Sequence, residues 1–375
     1  MSELGLLHLR HGENPRRWRR AGFVVLMAWL PLVLLSALED QLRGGERFSA
    51  LLSHLAVHTR FLLGAPLLVL AEVRCVHGFD HIARHFERAG LVSSESLPAY
   101  RAALTSSYRL SRSRIAWVGL WLLGLCGALC FWFFVPLAEF PAWHLDQEGT
   151  RWRLSWAGYW HVLIGLPLIV ALLCGWLWTL CLWTRFLARM GRLPLRLVPT
   201  HPDRTGGLRF VAYSFKSLWM FGLAIGTLAA GALGGRVAWG AADPLAHYLH
   251  PLGAALALVA LLTAAPLLGL SPPLAQAMRR GLFDYGALAG QLGTTFERKW
   301  VEGENAPANP LTALDFSAMN GANRIVDAGY QLRLFPMHLP SFVTLLLATA
   351  FPFLPMALLG LPLRLIVGAL KRVLF

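Results

Sequence analysis

Long, nearly uncharged apolar runs constrain this chain more than any other feature. They lie at about 21–38, 53–73, 115–137, 157–183, 217–235, 251–271 and 341–360. A helix needs roughly 20 residues to cross the hydrocarbon of a bilayer. With no water there, each backbone amide must be paired inside the protein, and only helices and closed barrels achieve that. These runs are continuous, not alternating, so they read as helices. The expected fold is all-α: a polytopic transmembrane bundle of about seven spans, one integral membrane domain over residues 1–375. A long cytoplasmic segment, 272–340, carries amphipathic helical stretches. Composition agrees, since only 14% of residues are charged, against ~25% in ordinary soluble chains.

Orientation follows from arginine and lysine. The segments 1–20, 74–114, 184–216 and 272–340 hold 25 of them, and the segments between hold six. Basic loops stay on the cytoplasmic side, which places the N-terminus in the cytoplasm and suggests a bacterial inner membrane. Arg16, Arg17, Arg19 and Arg20 precede the first run like a signal peptide, but no cleavage site follows, so the helix is expected to be retained. The formal charge of +14 is then explained by loops that meet anionic lipid head groups. Nucleic acid is not an expected partner. At the C-terminal end Pro352, Pro355 and Pro362 break the apolar stretch, and Arg364, Lys371 and Arg372 follow it. A seventh crossing and a returning interfacial helix both fit that pattern.

Tryptophans Trp143, Trp152, Trp156 and Trp160 cluster at the expected outer interface, and Trp176, Trp178 and Trp183 near the inner one. Span five carries Gly222, Gly226, Ala230 and Gly234, four apart on one helix face. Such a stripe admits a neighbouring backbone, either within the bundle or in a homo-oligomer. After Pro272 and Pro273, apolar residues recur at helical spacing from Leu274 to Phe296, as an extension of span six or a helix lying on the membrane. Residues 302–310 read as a flexible loop. No internal repeat is expected.

Chemistry has few places to reside. The outer face gathers His54, His58, His144, His161, His247 and His250, with Glu139, Asp146 and Asp243 on the same side. His54 and His58, and His247 and His250, each share a helix face, as a divalent metal site requires. His54, His58, His161, His247 and His250 are therefore the candidate metal ligands, and hydrogen-bonded interfacial histidines are the alternative. His77, His81 and His85 share a helix arc with arginines that repel a cation, so that arc reads as a basic surface.

The stretch 199–208 is the most motif-like. His201, Asp203, Arg204, Gly206 and Gly207 could cradle a phosphate or lipid head group through backbone amides and the guanidinium, or form a turn capped by Asp203. His201, Pro202 and Asp203 match the loop of J-domain proteins, but Pro194 and Pro199 forbid the helix that would precede it. The 61–72 run, the 201–208 stretch and the proline-rich tail from Phe335 together resemble bacterial multi-span membrane proteins with no assigned activity. That resemblance implies location and no chemistry. Walker, HExxH and GxSxG motifs are absent. Three expectations remain: passage of a small solute, ion or lipid; a sensor or assembly protein docking a cytoplasmic partner; and a metal-binding membrane enzyme.

Overall fold

A computed structural model describes residues 15–134, 141–148, 151–234, 244–302 and 314–360. The chain is an all-α bundle. Its helices are α1 (Pro15–Ala28), α2 (Leu30–Arg43), α3 (Arg47–Ser53), α4 (Leu55–His58), α5 (Ala65–Arg88), α6 (Leu97–Ser111), α7 (Arg114–Phe134), α8 (Trp156–Trp160) and α9 (Leu166–Met190). Then come α10 (Tyr213–Gly234), α11 (Pro244–Ala264), α12 (Ser271–Arg280), α13 (Gly286–Trp300), α14 (Leu314–Tyr330), α15 (Leu339–Ala350) and α16 (Phe353–Gly360). One short antiparallel hairpin, β1 (Leu145–Glu148) with β2 (Arg151–Leu154), joins α7 to α8.

Six helical stretches are long and apolar enough to cross a membrane, and α6 with α7, bent by 47°, forms a seventh candidate. The chain is thus built as a multi-pass membrane protein. Large apolar side chains point outward along the spans, with Ile115 85% and Leu261 67% exposed. In water that would be a liability, but against lipid it is the ordinary solvent-facing surface.

The second span runs on to Arg88, well past the apolar run that marks it in the sequence. The sixth continues from Tyr248 to Trp300 as 53 residues of one helical rod, so the amphipathic stretch extends span six. The tail beyond Gly360, with Pro362, Arg364, Lys371 and Arg372, lies outside the described residues, as does most of the 302–310 loop.

The second and fourth spans share a local defect. In each, a short α-helical start is followed by a π-helical turn, Thr59–Gly64 or His161–Gly165, before the long helix resumes. The cause is proline. Pro66 and Pro167 have no N–H, and their rings crowd the carbonyl four residues back, so an ordinary turn cannot close there. The amides just before them, of Ala65 and Leu166, reach five residues back to the carbonyls of Arg60 and His161. Residues 62–69 read Leu-Leu-Gly-Ala-Pro-Leu-Leu-Val and residues 163–170 read Leu-Ile-Gly-Leu-Pro-Leu-Ile-Val. This is a repeat that the expectation of none overlooked, and it carries matching backbone geometry.

The main core lies between α5, α9 and α10. Phe79 stacks on Trp183 with ring centroids 4.3 Å apart, and the Trp176 indole donates to the Leu68 carbonyl at 3.1 Å. Trp143, Trp176 and Trp183 are buried against other parts of the chain, so their rings fill the bundle and do not face lipid. Gly222 and Gly226 face α15, where a Cβ at Gly226 would collide with the Thr349 carbonyl. Ala230 packs with Leu233, Tyr248, Ala255 and Phe353, and Gly234 ends α10. The small-residue stripe is therefore filled by this chain's own helices.

Candidate functional site

Three features of the bundle hold chemistry. The first lies where the two π-helical turns meet. The widened turns aim Arg60 and His161 at one another, with Nη1 of Arg60 3.5 Å from Nε2 of His161. A guanidinium only donates, so His161 carries its proton on Nδ1 and donates to Nε2 of His144, 2.8 Å away. His144 and His161 are each only 4% exposed. Trp143 stacks on His144 at 3.8 Å, and Phe61 sets its edge on His161 at 5.7 Å. Burial, with the positive charge of His54 and Arg60 close by, pushes the His144 imidazole down to about 3. It is neutral at any ordinary pH.

The sequence-expected metal ligands are only partly gathered here. His54 stands beside Trp143, its buried Nδ1 without a hydrogen-bond partner. His58, one turn on, accepts from the Trp29 indole at 2.9 Å and donates to the Leu51 and Leu52 carbonyls, so both ring nitrogens are used. His250 lies exposed on α11, and the His247 side chain is outside the described residues. Among the described residues, no group of three or more His, Cys, Asp or Glu could hold a metal ion.

The second feature is the 201–208 loop. Asp203 organises it: Oδ1 accepts from the amides of Thr205 (2.9 Å) and Gly207 (3.1 Å), and Oδ2 from Arg209 (3.1 Å). Nδ1 of His201 stands 2.8 Å from the same carboxylate. Arg204, Gly206 and Gly207 adopt left-handed φ of 59°, 63° and 95°, and glycine pays least for that conformation. The Arg204 carbonyl accepts from the Arg333 amide at 2.7 Å, tying the loop to the segment before α15. Burial pushes the Asp203 carboxyl up, yet the three amides together hold it below its ordinary value. The cradle expected for a phosphate is therefore occupied in part by the loop's own carboxylate. Asp203 is a scaffold, and its amide partners are not free to meet a ligand.

Around this loop opens a cleft of about 770 Å³, lined among others by His85, Arg196, His201, Arg209, His338 and Ser341. His85 and His338 could not be read in advance as partners of the loop, because they come from distant parts of the chain. His85 sits at the end of α5, edge-on to Phe210 at 4.5 Å, rather than on a purely solvated surface.

The third feature is a groove of about 1050 Å³ between α1, α5, α7 and α9. Its walls are Phe23, Met27, Val118, Leu122, Leu125 and Leu168. At one end stand Arg19, Arg20 and Glu72, and at the other Leu163 and Ile164 of the π-helical turn that carries His161. Glu72 also lines a smaller cavity of about 230 Å³ on the other side of α7, so one carboxylate borders both. A carboxylate bordering apolar walls at a span end is costly unless it is paired or used. Comparison with protein-family models, with curated proteins and with solved structures finds no match, so function is read from this geometry alone.

Proposed function

We propose that this protein binds a membrane lipid with an anionic head group and passes it along the groove between α1, α5, α7 and α9. The groove carries the reading. It is apolar along its length, as an acyl chain requires, and ends in Arg19, Arg20 and Glu72, whose net positive charge suits a phosphate. Its far end reaches the π-helical turn that carries His161, through Leu163 and Ile164, and such turns gather where helices do work. In several transporter folds, repeated spans with broken helices likewise border the substrate path. The arginine distribution favours Arg19 and Arg20 on the cytoplasmic side of the membrane.

A photoactivatable phosphatidylglycerol in proteoliposomes tests binding. Crosslinks are expected on Val118, Leu125 and Leu168, and the double variant R19Q/R20Q should lower labelling on the order of 10-fold, as loss of charged hydrogen bonds predicts. Leu168→Trp should fill the groove and slow exchange of a fluorescent lipid between leaflets. Labelling spread evenly over the lipid-facing Leu261 and Leu268 of the sixth span, unchanged by either variant, would sink the proposal.

A further inference from the structure

We infer that the cleft beside the 201–208 loop is a binding site for a phosphate-bearing anion, separate from the lipid groove. Three imidazoles and two guanidinium groups converge on it from four parts of the chain: the end of α5, the 196–201 strand of loop, the turn before α10, and the start of α15. Asp203 is the single carboxylate in its lining, and that group is committed to three backbone amides and to His201. No carboxylate pairs with Arg196 or Arg209 among the described residues. The local balance is cationic, and a metal ion is disfavoured because no three-ligand group forms.

The shape is also specific. Guanidinium groups grip phosphate through paired, parallel hydrogen bonds, and imidazoles add donors around the remaining oxygens. The volume of about 770 Å³ is far larger than a phosphate and falls in the range of about 300–1,000 Å³ usual for small-molecule sites. Phe210, Tyr213, Leu91 and Val198 supply apolar and aromatic walls for an organic moiety. The ligand class is therefore a phosphate ester, either a soluble one or the head group of a lipid at the membrane surface. The left-handed backbone at Arg204, Gly206 and Gly207 holds the loop in a shape that a plain connector would not need.

The test uses the full chain in detergent. Binding of inorganic phosphate, glycerol phosphate and short-chain phosphatidic acid is measured by calorimetry on the parent protein and on the double variant R196Q/R209Q. Thermal unfolding of both checks that the variant is folded. A second variant, His338→Gln, removes one donor from the opposite wall. Saturable binding that weakens on the order of 10- to 100-fold in R196Q/R209Q and less in His338→Gln is the expected result. Similar affinity for glycerol phosphate and phosphatidic acid identifies a soluble ester, and much tighter phosphatidic acid identifies a head group. No saturable binding of any of the three, or binding unchanged in the folded double variant, overturns the inference. Because R19Q/R20Q leaves this cleft intact, failure of the lipid groove and failure of this site read out separately.

Discussion

His144 shows how a single side chain ties this bundle to pH. Its imidazole is held at about 3 by burial and by the charges of His54 and Arg60, against an ordinary value near ~6.5 in the unfolded chain. A depressed imidazole favours the folded state above ~6.5 and loses that advantage as pH falls toward 3. Between those limits the unfolded chain binds the extra proton, so acid weakens the fold. At pH 5 the loss from this one group is about 2 kcal/mol. Thermal unfolding in detergent should show a fall in Tm between pH 7 and 5 that is smaller in a His144→Gln variant. Asp203 is also held below its ordinary value, so acid weakens the fold through it too, here by protonating an acceptor that must stay charged. Asp203→Asn turns one oxygen that receives the Arg209 amide into a donor. The expected cost is about 1–3 kcal/mol, read as a lower Tm and faster tryptic cleavage after Arg204.

At the scale of elements, helix pairs meet where side chains vanish. Gly226 lets α10 approach the Thr349 backbone of α15, whereas Gly253 on α11 has nothing within 4 Å of an added Cβ. Gly226→Val should therefore destabilise by about 1–3 kcal/mol or more. Gly253→Ala should be neutral or stabilising by up to about 1 kcal/mol, since alanine favours the helix. The contrast is measurable in one thermal-melt series. This level also shows what the residues revealed beforehand. The spans were legible because an apolar run of membrane length has one solution in lipid. The widened turns were written in the sequence as well, in the matched stretches at 62–69 and 163–170, but a single recurrence 101 residues on escapes a search for short repeats. That Trp176 and Trp183 pack inward was not legible, because an indole near a span end fits equally at an interface or inside a core. Trp176 chose the Leu68 carbonyl.

For the whole molecule, the two ends of the bundle divide their chemistry. Neutral imidazoles and one deep guanidinium occupy one end, and the cleft with Arg196 and Arg209 lies toward the other. The loop of that cleft was visible in sequence as a turn dense in hydrogen-bonding groups. The cleft itself was not, since His85 and His338 reach it only through tertiary folding. The helical stretch from Tyr248 to Trp300 runs on through a 3-10 segment, Ala265–Leu270, and a π-helical turn, Gly281–Tyr285. At 1.5 Å per residue its 53 residues span about 80 Å, more than twice the ~30 Å hydrocarbon thickness. A helix of that length reaches well past the hydrocarbon, and a small tilt within it is enlarged at the far end. A tilt of about 5° within the bilayer carries the far tip through about 4 Å, using the same helical rise. Any rearrangement that lets α11 lean, such as a groove filling or emptying beside its neighbours, is magnified at Trp300 into a displacement large enough to open or close a contact.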